Sequence, residues 1–150
     1  MSVHDRLKEL GIELPSPVQP IATYVRYHQV GNLLLISGTG PSAGAKPGKL
    51  GLDLTIEEGY DIARDVGINI ISTVNDALGG DLDRVQRCLK VLGMVNSAPD
   101  FADQPKVING CSDLMVEVFG EKGRHTRSAV GFVALPGSIA VEIEAMFEVT

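Results

Sequence analysis

The sequence is short of basic residues, of cysteine and of long apolar runs, and each shortage closes off a class of function. Thirteen Lys and Arg stand against nineteen Asp and Glu, a net charge of −6. That balance disfavours non-specific nucleic-acid binding, which needs a basic surface. No run has the roughly twenty consecutive apolar residues needed to span a bilayer, and MSVHDRLKELGIELP lacks the pattern of a secretory signal. The expectation is a soluble, cytoplasmic protein with no membrane partner. Cys88 and Cys111, the two cysteines, lie far apart and form no C-x-x-C pair. A disulfide framework or zinc knuckle is therefore not expected, and a reducing compartment is. His4, His28 and His125 are scattered without ligand-like spacing, so no metal site is expected.

Two further signatures are missing. The glycine- and proline-rich stretch Gly38 to Gly51 has one residue too few between Gly44 and Gly48 for a P-loop, and Leu50 follows Lys49 where Ser or Thr is required. It reads as a flexible connection. Ser37, His28 and Asp53 supply the residue types of a triad, but no nucleophile elbow surrounds the serine.

What is present is a regular succession of elements. Val3, Leu7 and Leu10 share a helical stripe closed by Gly11, which predicts a short leading helix. TYVRYHQV and LLLIS, separated by Gly31-Asn32, read as a hairpin. Thr55 and Glu58 form a capping box before a long helix carrying Ile56, Tyr60, Ala63, Ile70 and Val74, ended by Gly79-Gly80. A strand follows from Arg84 to about Asn96. A second helix, capped by Asp103 and opening near Pro105, has the stripe Val107, Cys111, Leu114 and Val118. Gly110 inside it costs about 1 kcal/mol relative to Ala. Either another chain approaches the backbone there or the residue is merely tolerated. Arg127 to Ala134 and Ala140 to Val149 read as closing strands around a type II turn at Pro136-Gly137.

The order ββ-α-β-α-ββ predicts an α+β two-layer domain, a mixed sheet with two helices on one face. Phe132, Val130, Leu92 and Met94 fall opposite Val133, Val91 and Val95, so several strands are apolar on both sides. Oligomerisation is the simplest cover for the second face. Lys122, Arg124, His125 and Arg127 form a local basic cluster suited to a small anion. Taken singly, Arg127, Glu142 and Glu144 are explained as solvated strand residues.

Their combination carries more. Arg127-Ser128-Ala129-Val130, then Leu135-Pro136, then Val141-Glu142-Ile143-Glu144-Ala145 resembles the C-terminal signature of the RidA/YjgF reactive-intermediate deaminases, formerly endoribonuclease L-PSP. Tyr24-Val25, Val30-Gly31-Asn32 and Ile36-Ser37-Gly38 match that family's first hairpin, and Asn109 falls where it has a helix asparagine. The resemblance implies a chorismate-mutase-like fold over a single domain, 1–150, with residues 1–20 an N-terminal extension. It also implies a homotrimer with a cleft at each subunit interface. Arg127 would bind a substrate carboxylate and Glu142 would handle a water, the two forming the catalytic pair. Tyr24, Ser37, Gly38, Asn109 and Ala129 would line the cleft. The implied activity is hydrolysis of 2-imino (enamine) acids to 2-oxo acids and ammonia, with no cofactor. The alternative is a trimer that binds a carboxylate metabolite without turnover. Endoribonuclease activity, from the older name, fits the acidic charge poorly.

Besides the N-terminal extension, the chain departs from the family pattern in three places. Ala129 stands where cysteine is frequent, Thr39 replaces a glutamine, and the loop from Asn96 to Gln104 is longer. Such departures resemble a divergent branch. Hairpin geometry adds one expectation: with Ala134 near Ala140, Arg127 lies opposite about Phe147 and Glu142 projects from the other sheet face. A working site would then join Arg127 of one chain to Glu142 of its neighbour.

Overall fold

The computed structural model describes residues 1–17 and 19–150. In it, α1 (Val3–Glu9) and α2 (Ile56–Ala77) begin where side-chain oxygens meet the first free N–H groups. Ser2 Oγ accepts from Asp5 N at 3.1 Å, and Thr55 Oγ1 accepts from Glu58 N at 3.2 Å, each bond returned by the acid. α2 runs about 33 Å and gives way to Gly79 and Gly80, both at positive φ. α3 (Gln104–Phe119) opens with Pro105 in its first turn. Asp103 occupies the cap position without the side-chain bond expected of it.

β1 (Tyr27–Val30) and β2 (Leu33–Thr39) fold back around Gly31-Asn32, with Val30 opposite Leu33. β1 starts later than TYVRYHQV suggests, because the chain before Tyr27 is bent and meets β2 only where Ser37 N donates to Arg26 O at 2.9 Å and Ser37 Oγ to Val25 O. β3 (Val85–Asn96), β4 (Thr126–Phe132) and β5 (Val141–Val149) complete a sheet of order β1-β2-β5-β3-β4.

That order overturns the expected closing hairpin. β4 and β5 do not pair; β3 runs between them, parallel to β4 and antiparallel to β5. The reason is the βαβ unit formed by β3, α3 and β4, whose helical crossover returns the chain parallel to its starting strand. Ser138 N still donates to Leu135 O at 3.0 Å around a left-handed Gly137, but this turn carries the chain past the end of β3. Arg127 accordingly neighbours Val91, and Phe147 pairs with Leu34 and Cys88.

One sheet face packs on α2 and α3. Leu34, Ile36, Val91, Val95, Val141, Ile143 and Phe147 meet Val66, Ile70, Val74, Val107, Cys111 and Leu114 in one buried core. The helices touch at Gly110, where a Cβ would come within 2.0 Å of the Tyr60 carbonyl oxygen. The close neighbour is thus α2 of the same chain. The opposite face presents Leu35, Leu92, Met94, Val130 and Met146, interrupted by Lys90, Glu142 and Glu144. Val133 lies beyond β4, 84% exposed, and joins neither face.

The segment Gly38 to Gly51 is pinned along its length, contrary to the flexible connection expected. Leu50 is fully buried and bonds Asn96 O and Ala98 N through its backbone, and Ser42 N donates to Asp65 Oδ2 at 2.6 Å. Lys49 Nζ donates to Asn96 Oδ1 at 2.9 Å and to the Val133 carbonyl. Backbone groups of an irregular segment buried against a core need such partners.

Candidate functional site

The residues singled out in the sequence fall into two groups, one on the β4 edge of the sheet and one around β2 and the central strand β5. The first is built on β4 and α3. Arg127, in register with Val91, turns to the helix face, where Nη1 donates to Asn109 Oδ1 at 2.8 Å and to Ser112 Oγ at 3.0 Å. Asn109 and Ser112 lie three apart on α3 and so share one side of the helix. With Nη1 engaged twice and Nη2 making one long 3.5 Å contact to Pro105 O, the Nε–Nη2 side of the fork is left for a ligand. Ala129, two residues on, lies beside Gly93 on the same face.

Arg127 opens into a cavity of about 400 Å³ shared with Ser112, Asp113, Val116, Arg124 and His125. The basic cluster of the sequence divides here, since Lys122 turns away to the Val85 carbonyl. Asp113 is occupied by the Tyr60 hydroxyl at 2.7 Å, a bond that with burial pushes the phenol up to about 12. Cys111 lies below. Burial pushes its thiol up to about 12, so it carries no thiolate at neutral pH.

The second group gathers on β2 and β5. Tyr24, Ser37 and Gly38 line a cavity of about 220 Å³ with Arg26, Asn69 and Thr73. Ser37 Oγ donates to Val25 O at 2.6 Å. Glu142 rises beside Gly38 from the face away from the helices, and a Cβ on Gly38 would meet Glu142 Oε2 at 2.5 Å. The glycine leaves the space the carboxylate fills. Desolvation, and then the charge of Glu144, raise the Glu142 pKa above the ordinary glutamate value.

Sequence reading missed Arg26. Its Nη2 bonds Asp76 Oδ2 at 2.7 Å and its guanidinium stands 5.8 Å from the Tyr27 ring centre, while Nη1 is buried with no acceptor among the described residues. It also missed Ser112. A serine one turn after Asn109 was the available signal.

Within one chain the two groups do not meet. Two strands, β5 and β3, separate β2 from β4. Glu142 pairs with Met94 and Arg127 with Val91 on the two sides of β3, which places their Cα atoms roughly 14 Å apart by strand spacing and rise. Their side chains project from opposite faces. The expectation that one chain does not unite the pair therefore holds, although the hairpin from which it was reached does not exist. Among the described residues no group of three His, Cys, Asp or Glu side chains is placed to hold a metal, and no helix is long and apolar enough to cross a membrane.

These features define a two-layer α+β protein with two separate groups of candidate site residues, and comparison with known proteins places it. Residues 4–141 match the family described as YjgF/chorismate mutase-like, putative endoribonuclease. The chain belongs to that family and has its chorismate-mutase-like fold. It is 45% identical to Protein TCP17 of Trypanosoma cruzi, over 95% of this chain and 91% of that one. Two crystal structures align with 99% of it. Atu1372 of Agrobacterium tumefaciens, of unknown function, is 41% identical with a TM-score of 0.92 over 92% of its own chain. A Shewanella oneidensis MR-1 protein carrying the endoribonuclease description is 32% identical with a TM-score of 0.94 over 100% of its chain. The family takes in both deaminases and proteins described as endoribonucleases.

Proposed function

We propose that the protein hydrolyses 2-imino (enamine) acids to 2-oxo acids and ammonia, in clefts between the subunits of a homotrimer. The observation that carries this reading is the Arg127 guanidinium, held through Nη1 by Asn109 and Ser112, with only the long Nη2 contact to Pro105 O on its Nε–Nη2 side. A planar carboxylate fits that side by two charge-assisted bonds. Glu142 of the neighbouring chain, beside Gly38, supplies the second half, and Tyr24 and Ser37, which line the adjoining cavity with Gly38, extend the cleft wall. The water oxygen adds to the imine carbon as Glu142 takes its proton, and the C=N electron pair moves to nitrogen. Glu142 returns that proton to the nitrogen, giving the carbinolamine. It then takes the hydroxyl proton as the oxygen pair closes the C=O bond, the C–N bond breaks, and the nitrogen leaves as ammonia with that second proton. A carboxylate whose pKa is raised is suited to both transfers. Ala129 removes any thiol from the cleft wall.

Homotrimers and small-metabolite ligands are general among the family. The apolar outer sheet face supports the same assembly here. The reading extends to the cytoplasm as compartment and to residues 1–150 as one domain. In this reading residues 1–20 are the extension of a divergent branch. The net charge of −6 argues against a polyanionic RNA substrate.

The test is ammonia release from freshly generated 2-iminobutanoate. Wild type accelerates it over buffer, and Arg127→Ala and Glu142→Gln each lower the rate by at least about a hundredfold. Carboxylate-dependent thermal stabilisation without acceleration of any imine would point to the non-catalytic binding trimer instead.

A further inference from the structure

The structure holds a four-member hydrogen-bond chain behind Arg127. His125 Nδ1 is 2.7 Å from the Gly123 carbonyl oxygen, and His125 Nε2 is 2.9 Å from Ser112 Oγ. Ser112 Oγ in turn accepts from Arg127 Nη1 at 3.0 Å. The direction of donation follows from the inventory of donors. A carbonyl only accepts, so Nδ1 carries the imidazole proton. In the neutral ring Nε2 is then bare and accepts, and the Ser112 hydroxyl is the donor that faces it. The Ser112 lone pairs are thereby turned to Arg127. Donation runs one way, from Arg127 to Ser112 to His125 to Gly123, and each bond polarises the next. Burial, with the nearby Arg127 charge, holds His125 below its ordinary pKa against the opposing pull of the Gly123 bond, so the ring is neutral at neutral pH.

We propose that Ser112 and His125 are positioning residues that lock the Arg127 guanidinium rotamer, so that its Nε–Nη2 side is presented to a ligand carboxylate before binding. Asn109 alone fixes one Nη1 hydrogen and leaves the guanidinium free to pivot about that bond. The second anchor at Ser112 removes the pivot, and His125 keeps the serine lone pairs turned to Arg127. This inference rests on the carboxylate-clamp part of the function proposed above and not on turnover.

The test reads the dissociation constant of 2-oxobutanoate by calorimetry, alongside KM and kcat for 2-iminobutanoate, in variants checked for folding by circular dichroism. Arg127→Ala abolishes measurable binding. Ser112→Ala and His125→Phe each raise Kd and KM roughly tenfold with kcat within about twofold, as expected when ground-state and transition-state binding fall together. His125→Gln, whose side-chain oxygen can accept from Ser112, and Ser112→Thr restore Kd to within about threefold of wild type. Wild-type affinity in Ser112→Ala would overturn the proposal. So would equal weakening in His125→Gln and His125→Phe, which would leave His125 only a space-filling role. Unchanged binding in Arg127→Ala would overturn the clamp and this inference together. Binding that follows the expected series without imine turnover would sink the deaminase reading and leave the positioning role standing.

Discussion

Glu142 and Gly38 show how one residue's chemistry is set by the absence of another's atoms. The carboxylate lies where a Gly38 Cβ would be. Gly38→Ala should therefore displace the Glu142 side chain, which is flexible and can move, at little cost to the fold. We expect kcat for imine hydrolysis to fall at least about tenfold with little change in the affinity for 2-oxobutanoate. The raised pKa gives a pH signature. A water-activating carboxylate must be ionised, so kcat should fall on the acid side through a pKa above the ordinary glutamate value, and Glu142→Gln should have no such limb. The stability sign runs the other way. A folded-state pKa above the unfolded one stabilises the fold fully below the unfolded pKa, and that contribution is lost as pH rises through the folded value. Glu142→Gln should thus flatten thermal stability across that window. A wild-type acid limb at or below the ordinary glutamate value would count against both statements.

At the scale of elements, α2 and α3 are held at a separation that only glycine allows. Two contacts differ in what would have to move. A Cβ at Gly110 meets the Tyr60 carbonyl at 2.0 Å, which is backbone, whereas one at Gly67 meets Leu114 Cδ2 at 2.8 Å and Cys111 Sγ at 3.2 Å. Side chains can shift by tenths of an ångström and a paired helix backbone cannot. Gly110→Ala should destabilise by about 3 kcal/mol or more, and Gly67→Ala by about 1–2 kcal/mol, read from urea unfolding midpoints at constant m-value. The reverse ranking would contradict the packing. Both helices could be read in advance, because 3.6-residue periodicity and the α2 capping box are local; the α3 stripe is buried throughout, while in α2 Ile56 and Tyr60 are only half-buried. The partners of β4 and β5 could not be read from periodicity, since it gives the faces of a strand and not its neighbours. A strand–helix–strand run did carry the cue for β3 and β4, which the nearby Pro136-Gly137 turn masked. The pinned loop escaped for a similar reason: its composition is that of a turn, while its order comes from Asn96, Ala98 and Asp65, far along the chain.

The whole molecule raises the question of how two half-sites become one. Arg127 and Asn109 were legible as candidate site residues only together with the C-terminal signature, because a lone charged strand residue is ordinarily a solvated one. His125 was read only as part of the local basic cluster and Ser112 not at all, since their meeting depends on how α3 lies against the start of β4. The apolar outer face, with Leu35 38% and Val130 40% exposed, is the surface that association would cover. In a closed ring each interface joins different patches of two neighbours, so every site would take Arg127 from one chain and Glu142 from the next. That arrangement can be tested by mixing. Arg127→Ala and Glu142→Gln chains are each inactive alone in the proposed trimer. Refolded together in equal amounts, they should regain activity, because a site whose arginine comes from the second variant and whose glutamate comes from the first is intact. Random assembly makes about one site in four of this kind, so recovery should approach a quarter of the wild-type rate. A double-mutant chain mixed with either single mutant should recover none. No recovery in the first mixture, with exchange verified by mass spectrometry of the assembled protein, would mean that the two half-sites do not work across an interface.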